Sequence, residues 1–138
     1  MEKINWQKEY ELNIPVIDEQ HKGLVDLINQ ITVAKKNNQA YEIVREVMFK
    51  LVDYTKVHFK YEEEHMSLNQ YPKLVFHNAQ HHSLINHIIT LLTQMKNGRT
   101  DVLDEIHSML SNWLIKHILR EDKLYGSYYH HKMEHENN

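Results

Sequence analysis

At 138 residues and 16.7 kDa, with 41% hydrophobic residues, the chain has the size and composition of one ordered domain around a single core. A net charge of -3 excludes a strong nucleic-acid or anionic-membrane footprint, and neither the N-terminal MEKINWQKEY nor any later stretch has a signal-peptide or membrane-spanning apolar run, so a cytoplasmic protein is expected. The absence of Cys excludes disulfides, thiolate metal sites, iron–sulfur clusters and thiol nucleophiles.

Only three Gly and two Pro interrupt the chain, and no strand-type alternation occurs, which predicts an all-α fold. The segment up to residue 17, with Trp6, Tyr10, Ile14 and Pro15, reads as an extended arm packed across the helices. Asp18 is placed as the N-cap of a first helix carrying Leu24, Leu27, Ile28, Ile31 and Ala34, which ends in Lys35-Lys36-Asn37-Asn38. A second helix, from about Tyr41 to Met66, carries Val44, Val47, Leu51, Thr55, His58 and Glu62 at steps of three or four. Pro72 suits the first turn of a third, whose stripe Leu74, His77, His81, Leu84, Ile88, Leu91 and Met95 runs to an Asn97-Gly98 stop. Thr100 or Asp101 caps a fourth, with Val102, Ile106, Met109, Trp113 and His117 on one face. The polar, His-rich end beyond Ser127 is expected to fray. Short connections force antiparallel neighbours, so one domain over 1–138 is expected: an arm at 1–17, an up-down-up-down antiparallel four-helix bundle over about 18–125, and a polar tail over about 126–138.

Twelve His are many for this length, and their placement is the informative feature. His21 opens the first helix, His58 and Glu62 lie late in the second, His77 and His81 early in the third, and His117 and Asp122 late in the fourth. In an antiparallel bundle these four places are one end. His58 to Glu62 and His77 to His81 are spaced i, i+4, about 40° from eclipsed, so both members of each pair can face one spot. Asp122 lies five residues past His117, about 140° away in an ideal helix, which predicts a π-type turn or a helix end there. Burying seven such groups without a cation would be very costly. Glu62-Glu63-Glu64 and Glu121-Asp122 are also expected to close their helices, where the dipole disfavours anions and a cation would relieve them; Glu63, Glu64 and Glu121 are read as solvated. The other seven His, at 65, 82, 87, 107, 130, 131 and 135, lie off the inward stripe or in the tail, and His82, although adjacent to His81, is read as a surface residue.

Five imidazoles and two carboxylates exceed one ion and suit two six-coordinate positions. If both carboxylates and one oxo or hydroxo oxygen bridge, each ion receives three oxygens. Three His complete one ion, while two leave the other with an open position, where a diatomic such as O2 would bind. Nitrogen-rich ligation suits Fe, Mn or Zn. Trp113, Leu84, Ile85, Phe59 and Ile118 are candidates for lining a dry pocket around the site.

IDEQH at 17–21, HFKYEE at 58–63, HNAQH at 77–81 and HILRED at 117–122 resemble the four ligand motifs of the hemerythrins, specifically the single-domain bacterial type, the bacteriohemerythrins. The resemblance spans nearly the whole chain, from Trp6 to the last motif, and fills all seven ligand positions. It implies two irons: His77, His81 and His117 on the saturated iron, His21 and His58 on the open one, and Glu62 and Asp122 bridging with an oxo or hydroxo group. It further implies reversible O2 binding for storage, delivery or sensing, with no enzymatic turnover beyond slow oxidase or peroxidase-like side reactions. The competing expectation is a di-iron redox enzyme or scavenger acting on O2, peroxide or nitric oxide. Oxidising di-iron bundles use mostly carboxylates, and two among seven ligands favour binding. A signalling role would require a separate protein partner, and the oligomeric state is left open.

Overall fold

A computed structural model describes residues 3–38 and 41–136. Among them, five α-helices and no strand occur: α1 Pro15–Lys36, α2 Tyr41–Leu68, α3 Leu74–Lys96, α4 Val102–His117 and α5 Lys123–Glu136. A π-helical turn, Ile118–Asp122, joins α4 to α5, so the last two form one long, locally widened helix. α1 packs on α2 and α4, and α3 packs on α2 and α4, which with short connections is the expected antiparallel four-helix bundle. No helix among the described residues is long and apolar enough to cross a membrane.

The core follows the apolar stripes. Ile17, Ile28, Ile31, Met48, Leu51, Ile88 and Ile106 are fully enclosed. On α4 the inward stripe is Val102, Ile106, Leu110 and Leu114, so the expected Met109 and Trp113 lie at its edge, half-buried. α3 stops as expected: Gly98 adopts φ 101°, and its N–H and that of Arg99 turn back to Met95 and Gln94. α2 stops the same way with Gln70 in the left-handed position, its N–H reaching Ser67 and that of Tyr71 reaching Met66. Gly23 leaves room for the ring of Tyr54, whose hydroxyl would overlap any side chain there.

The helix starts differ from expectation in an instructive way. α1 begins at Pro15, a good first-turn residue because its missing N–H has no partner to lose, and Ile14 occupies the N-cap position. Asp18 is therefore inside the first turn, where its carboxylate accepts the Leu12 N–H at 2.7 Å and ties down the arm. Pro72 sits in the turn before α3, which begins at Leu74. Asp101 holds the N-cap position of α4 but makes no capping bond; its carboxylate meets Arg99 Nε at 2.7 Å instead. The arm is packed as expected, with Ile4 N–H donating to Asn29 Oδ1 at 2.7 Å and Asn29 Nδ2 returning to Ile4 O at 2.9 Å. Trp6 meets Tyr10 edge-to-face.

The largest departure is the tail. Residues 127–136 are helical, and only 137–138 of the expected frayed end lie outside the described residues. The physical reason is that α5 satisfies carbonyls that α2 leaves without partners. Tyr128 Oη donates to Asn69 O at 2.6 Å and Gln70 O at 2.9 Å, and Lys132 Nζ donates to Asn69 O at 2.9 Å. His130 Nε2–H donates to Leu12 O at 2.9 Å, joining the same helix to the arm.

Asp18→Ala strands the buried Leu12 N–H and should cost about 1–3 kcal/mol. Asp18→Asn keeps the acceptor and should recover most of that loss in urea unfolding; equal losses for the two would contradict the tie.

Candidate metal centre

All seven expected residues meet at one end of the bundle, and all are buried: His21 on α1, His58 and Glu62 on α2, His77 and His81 on α3, His117 at the end of α4, and Asp122 at the end of the π turn. Their donor atoms form two groups, each within 4.8 Å: Glu62, His77, His81, His117 and Asp122 in one, His21, His58 and Glu62 in the other. The two carboxylates face both ways. Glu62 Oε1 lies 2.7 Å from His77 Nε2 and 3.2 Å from His81 Nε2, while its Oε2 lies 3.2 Å from His58 Nε2 and 3.4 Å from His21 Nε2. Asp122 Oδ1 lies 3.0 Å from both His77 and His117 Nε2, and its Oδ2 lies 3.1 Å from His21 Nε2.

The expected π-type turn is what brings the last of the seven residues to the cluster. An α-helix would rotate Asp122 away from His117, whereas the widened turn Ile118–Asp122 returns its carboxylate to the same side. The dipole conflict, in contrast, is absent. α2 runs on to Leu68 and the fourth helix continues through α5, so neither Glu62 nor Asp122 sits at a helix end.

The donor set fits cations better than protons. Each imidazole Nε2 carries at most one hydrogen, yet His77 Nε2 faces Glu62, Asp122 and, at 3.0 Å, the Nε2 of His117, which also lies 3.2 Å from that of His81. His21 Nε2, Glu62 Oε2 and both Asp122 oxygens are buried without a hydrogen-bond partner. Electrostatics divides the cluster. Burial pushes His21 and His77 down, but the Asp122 and Glu62 carboxylates outweigh it and raise them to about 9 and about 10. Burial prevails at His58, which is lowered, and at His81, lowered to about 4. Burial would raise Glu62 and Asp122, but the surrounding imidazoles hold both carboxyls well below the usual carboxylate range.

Packing fixes the rings. Phe59 stacks on His81 at 3.6 Å between centroids and 2° between planes, and Trp113 stacks on His117 at 4.3 Å and 13°. Leu84 and Ile118 are buried as expected, whereas Ile85 lines a surface groove outside His81. Inward of Phe59 and Trp113, Leu24, Leu51, Leu84 and Leu114 help enclose an apolar space of about 10 Å³.

Three features lay outside the sequence reading. Gln20 Oε1 accepts a hydrogen bond from His58 Nδ1–H at 2.7 Å, presenting Nε2 to the cluster; the signal was its place beside His21, one residue from a ligand. Glu63, expected to be solvated, is partly buried, is raised by that burial, and places Oε2 3.8 Å from His81 Nδ1. Two His placed off the inward stripe are nonetheless engaged inside the bundle: His107 is buried with its Nε2 2.7 Å from Thr32 Oγ1, and His65 meets the hydroxyl of the buried Tyr125.

The profile of the Hemerythrin HHE cation binding domain matches residues 12–129. The chain belongs to the hemerythrin family. Among hemerythrin relatives, the bacteriohemerythrin of Stenotrophomonas maltophilia is 36% identical over 88% of this chain and 78% of its own length. That of Pseudomonas aeruginosa is 34% identical over 96% of this chain and 86% of its own. The crystal structure of a hemerythrin leucine-to-alanine mutant superimposes with a TM-score of 0.82 at 27% identity, covering 93% of this chain and 98% of that one.

The metal-free chain should have a stability optimum set by these groups. The raised His21 and His77 stabilise fully below the ordinary 6.5 and lose that contribution as pH climbs through about 9 and about 10. The depressed carboxylates contribute above about pH 4 and lose it on acidification. Thermal melts of metal-free protein should therefore peak between about pH 5 and 7; a melting temperature that climbs steadily from neutral to alkaline pH would contradict the assignment.

Proposed function

We propose that this cluster holds two iron ions and that the chain binds O2 reversibly at one of them. His77, His81 and His117 ligate one iron, His21 and His58 the other, and Glu62 and Asp122 bridge them together with an oxo or hydroxo group. The observation that carries this reading is the two-faced carboxylates: each turns one oxygen to the three-His group and the other toward the two-His group. Membership in the hemerythrin family supports iron over manganese or zinc, and its relatives' name, bacteriohemerythrin, supports a bacterial carrier of this type. When bound, the iron pair supplies the redox electrons and the open coordination position for O2.

The chain's own residues do the rest. Gln20 holds the His58 tautomer, so its Nε2 lone pair faces inward. Phe59 and Trp113 lock two imidazoles of the three-His group by stacking. The small enclosed space lies one turn inward from His21 and His58 and is bordered by Leu24, Thr55 and Leu51. Thr55 spends its hydroxyl on Leu51 O at 2.7 Å, so that space offers water little to bind. A dry, apolar space beside the cluster suits an uncharged diatomic and keeps proton-carrying water away from it. Five nitrogens against two carboxylates favour binding over oxidative turnover.

Anaerobic loading with ferrous iron should give two irons per chain and an optical charge-transfer band that appears with O2 and disappears on its removal. A single irreversible oxidation would point instead to a redox enzyme or scavenger, and failure to hold two irons would refute the site. His58→Ala should abolish O2 binding while circular dichroism stays helical, and retained cycling in that variant would sink the assignment. Glu62→Ala removes a bridge and should lower iron content below two; normal stoichiometry with intact O2 binding would count against that role.

A further inference from the structure

Beneath the ligand cluster lies a second constellation of residues that the O2 site does not use. Tyr125 stands three residues beyond Asp122 and His65 three beyond Glu62, so each sits one helical turn from a bridging carboxylate. Tyr125 is fully buried, and its hydroxyl lies between His65 Nδ1 and, at 3.1 Å, the His65 carbonyl oxygen. The hydroxyl donates to that carbonyl, which also accepts from Asn69 N–H at 3.2 Å and Asn69 Nδ2 at 2.8 Å, and it accepts from Asn69 Nδ2 at 3.4 Å; His65 Nδ1, in the tautomer protonated at Nε2, offers the phenol proton a second, basic acceptor. Burial holds His65 below its usual value, so the ring is neutral at physiological pH and can take a proton. Other aromatic rings lead outward from this pair. Tyr125 lies 4.9 Å from Tyr71 and 6.3 Å from both Tyr128 and Tyr129 between centroids, and His65 lies 4.9 Å from Tyr129. Tyr128 and Tyr129 are partly exposed.

A buried phenol against a neutral imidazole is suited to giving up an electron. Loss of the electron makes a phenol strongly acidic, so oxidation is easiest where a base already sits on the hydroxyl. Neighbouring rings, 4.9 to 6.3 Å away between centroids, then let the vacancy move outward. We propose that Tyr125 and His65 form a proton-coupled redox pair through which oxidising equivalents leave the ligand cluster for Tyr128 and Tyr129, so that the chain reduces hydrogen peroxide with electrons from its own tyrosines. It rests on the di-iron reading of the cluster. The step balances with hydrogen peroxide as oxidant. One H2O2 takes two electrons and two protons, its O–O bond breaks and two waters form, while two phenols each lose one electron and one proton. The Tyr125 proton passes to His65 Nδ1 and that of the outer tyrosine to solvent, while solvent supplies the two protons that the peroxide takes up. Two molecules of a small phenolic or enediol reductant at the partly exposed Tyr128 and Tyr129 each return one electron and one proton, the buried Tyr125 being refilled through these outer rings and by the proton held on His65. The pair thereby spares Trp113, stacked on His117, and the imidazoles of the cluster, the oxidisable groups nearest to it.

The test uses the full chain loaded with ferrous iron and oxidised to the diferric state, mixed with hydrogen peroxide and frozen for electron paramagnetic resonance, with iron content and O2 cycling measured on the same preparation. The expected result is a tyrosyl radical that is lost in Tyr125→Phe, weakened in His65→Gln and unchanged in Tyr10→Phe. Peptide mapping of the wild-type chain should place oxidation at Tyr125, Tyr128 or Tyr129, a result that needs no variant to fold, and Tyr125→Phe should shift oxidation onto His77, His81 and His117. A protein that holds two irons and cycles O2 but forms no tyrosyl radical overturns this proposal alone, as does an indole radical on Trp113 that survives Tyr125→Phe. A chain that holds no iron overturns the site and this proposal together.

Discussion

Two carboxylates, Glu62 and Asp122, lie at 0% exposure inside a bundle of aliphatic side chains, and the cost of burying negative charge there dictates what surrounds them. Five imidazoles from four helices answer that charge. As protons alone they answer it poorly, because the hydrogens available at the facing Nε2 atoms cannot satisfy every carboxylate oxygen and neighbouring nitrogen. Cations would satisfy donor atoms that protons leave without partners, so the buried ionic cluster that burdens the fold is also chemically suited to holding metal.

The helical framework pays for that cluster with one local irregularity. The π turn Ile118–Asp122 inserts the residue that swings Asp122 back beside His117, and the chain resumes as α5 rather than ending. α5 persists because Tyr128 and Lys132 take up the carbonyls at the end of α2 and His130 takes that of Leu12. The last helix thus braces the α2–α3 turn and the arm at the end of the bundle that carries the cluster. It also encloses Tyr125 and brings it to His65, so the bracing and the aromatic cluster beneath the site are one piece of packing.

Much of this was legible in the primary structure because helical periodicity is a local property. The stripe Leu84, Ile88 and Leu91 on α3 and its interruption by His77 and His81 state which face is inward and which turn is polar. The five-residue gap from His117 to Asp122 conflicts with that period and so announced the π turn. Boundaries were less legible. Asp18 has the chemistry of an N-cap, and only the arm's return to the bundle shows that its carboxylate serves the Leu12 N–H instead. The His-rich segment after Ser127 is polar enough to read as a frayed end, and its order comes from carbonyls more than fifty residues away. His107 lies off the inward stripe by its spacing, and its burial becomes visible only with Thr32 of the facing helix in place.

The sequence by itself determined the helical class, the convergence of seven donor residues on one end and the family, because each depends on spacing along the chain and on side-chain type. Tertiary structure alone decided how the donors divide into two groups, with each carboxylate turned to both, since that depends on which oxygen meets which ring across helices. It likewise decided that Gln20 holds His58, that Phe59 and Trp113 lie flat on their imidazoles, and that Tyr125 meets His65. Those are contacts between residues far apart in the chain, and periodicity, which reports only the face a residue occupies, carries no information about what waits opposite it.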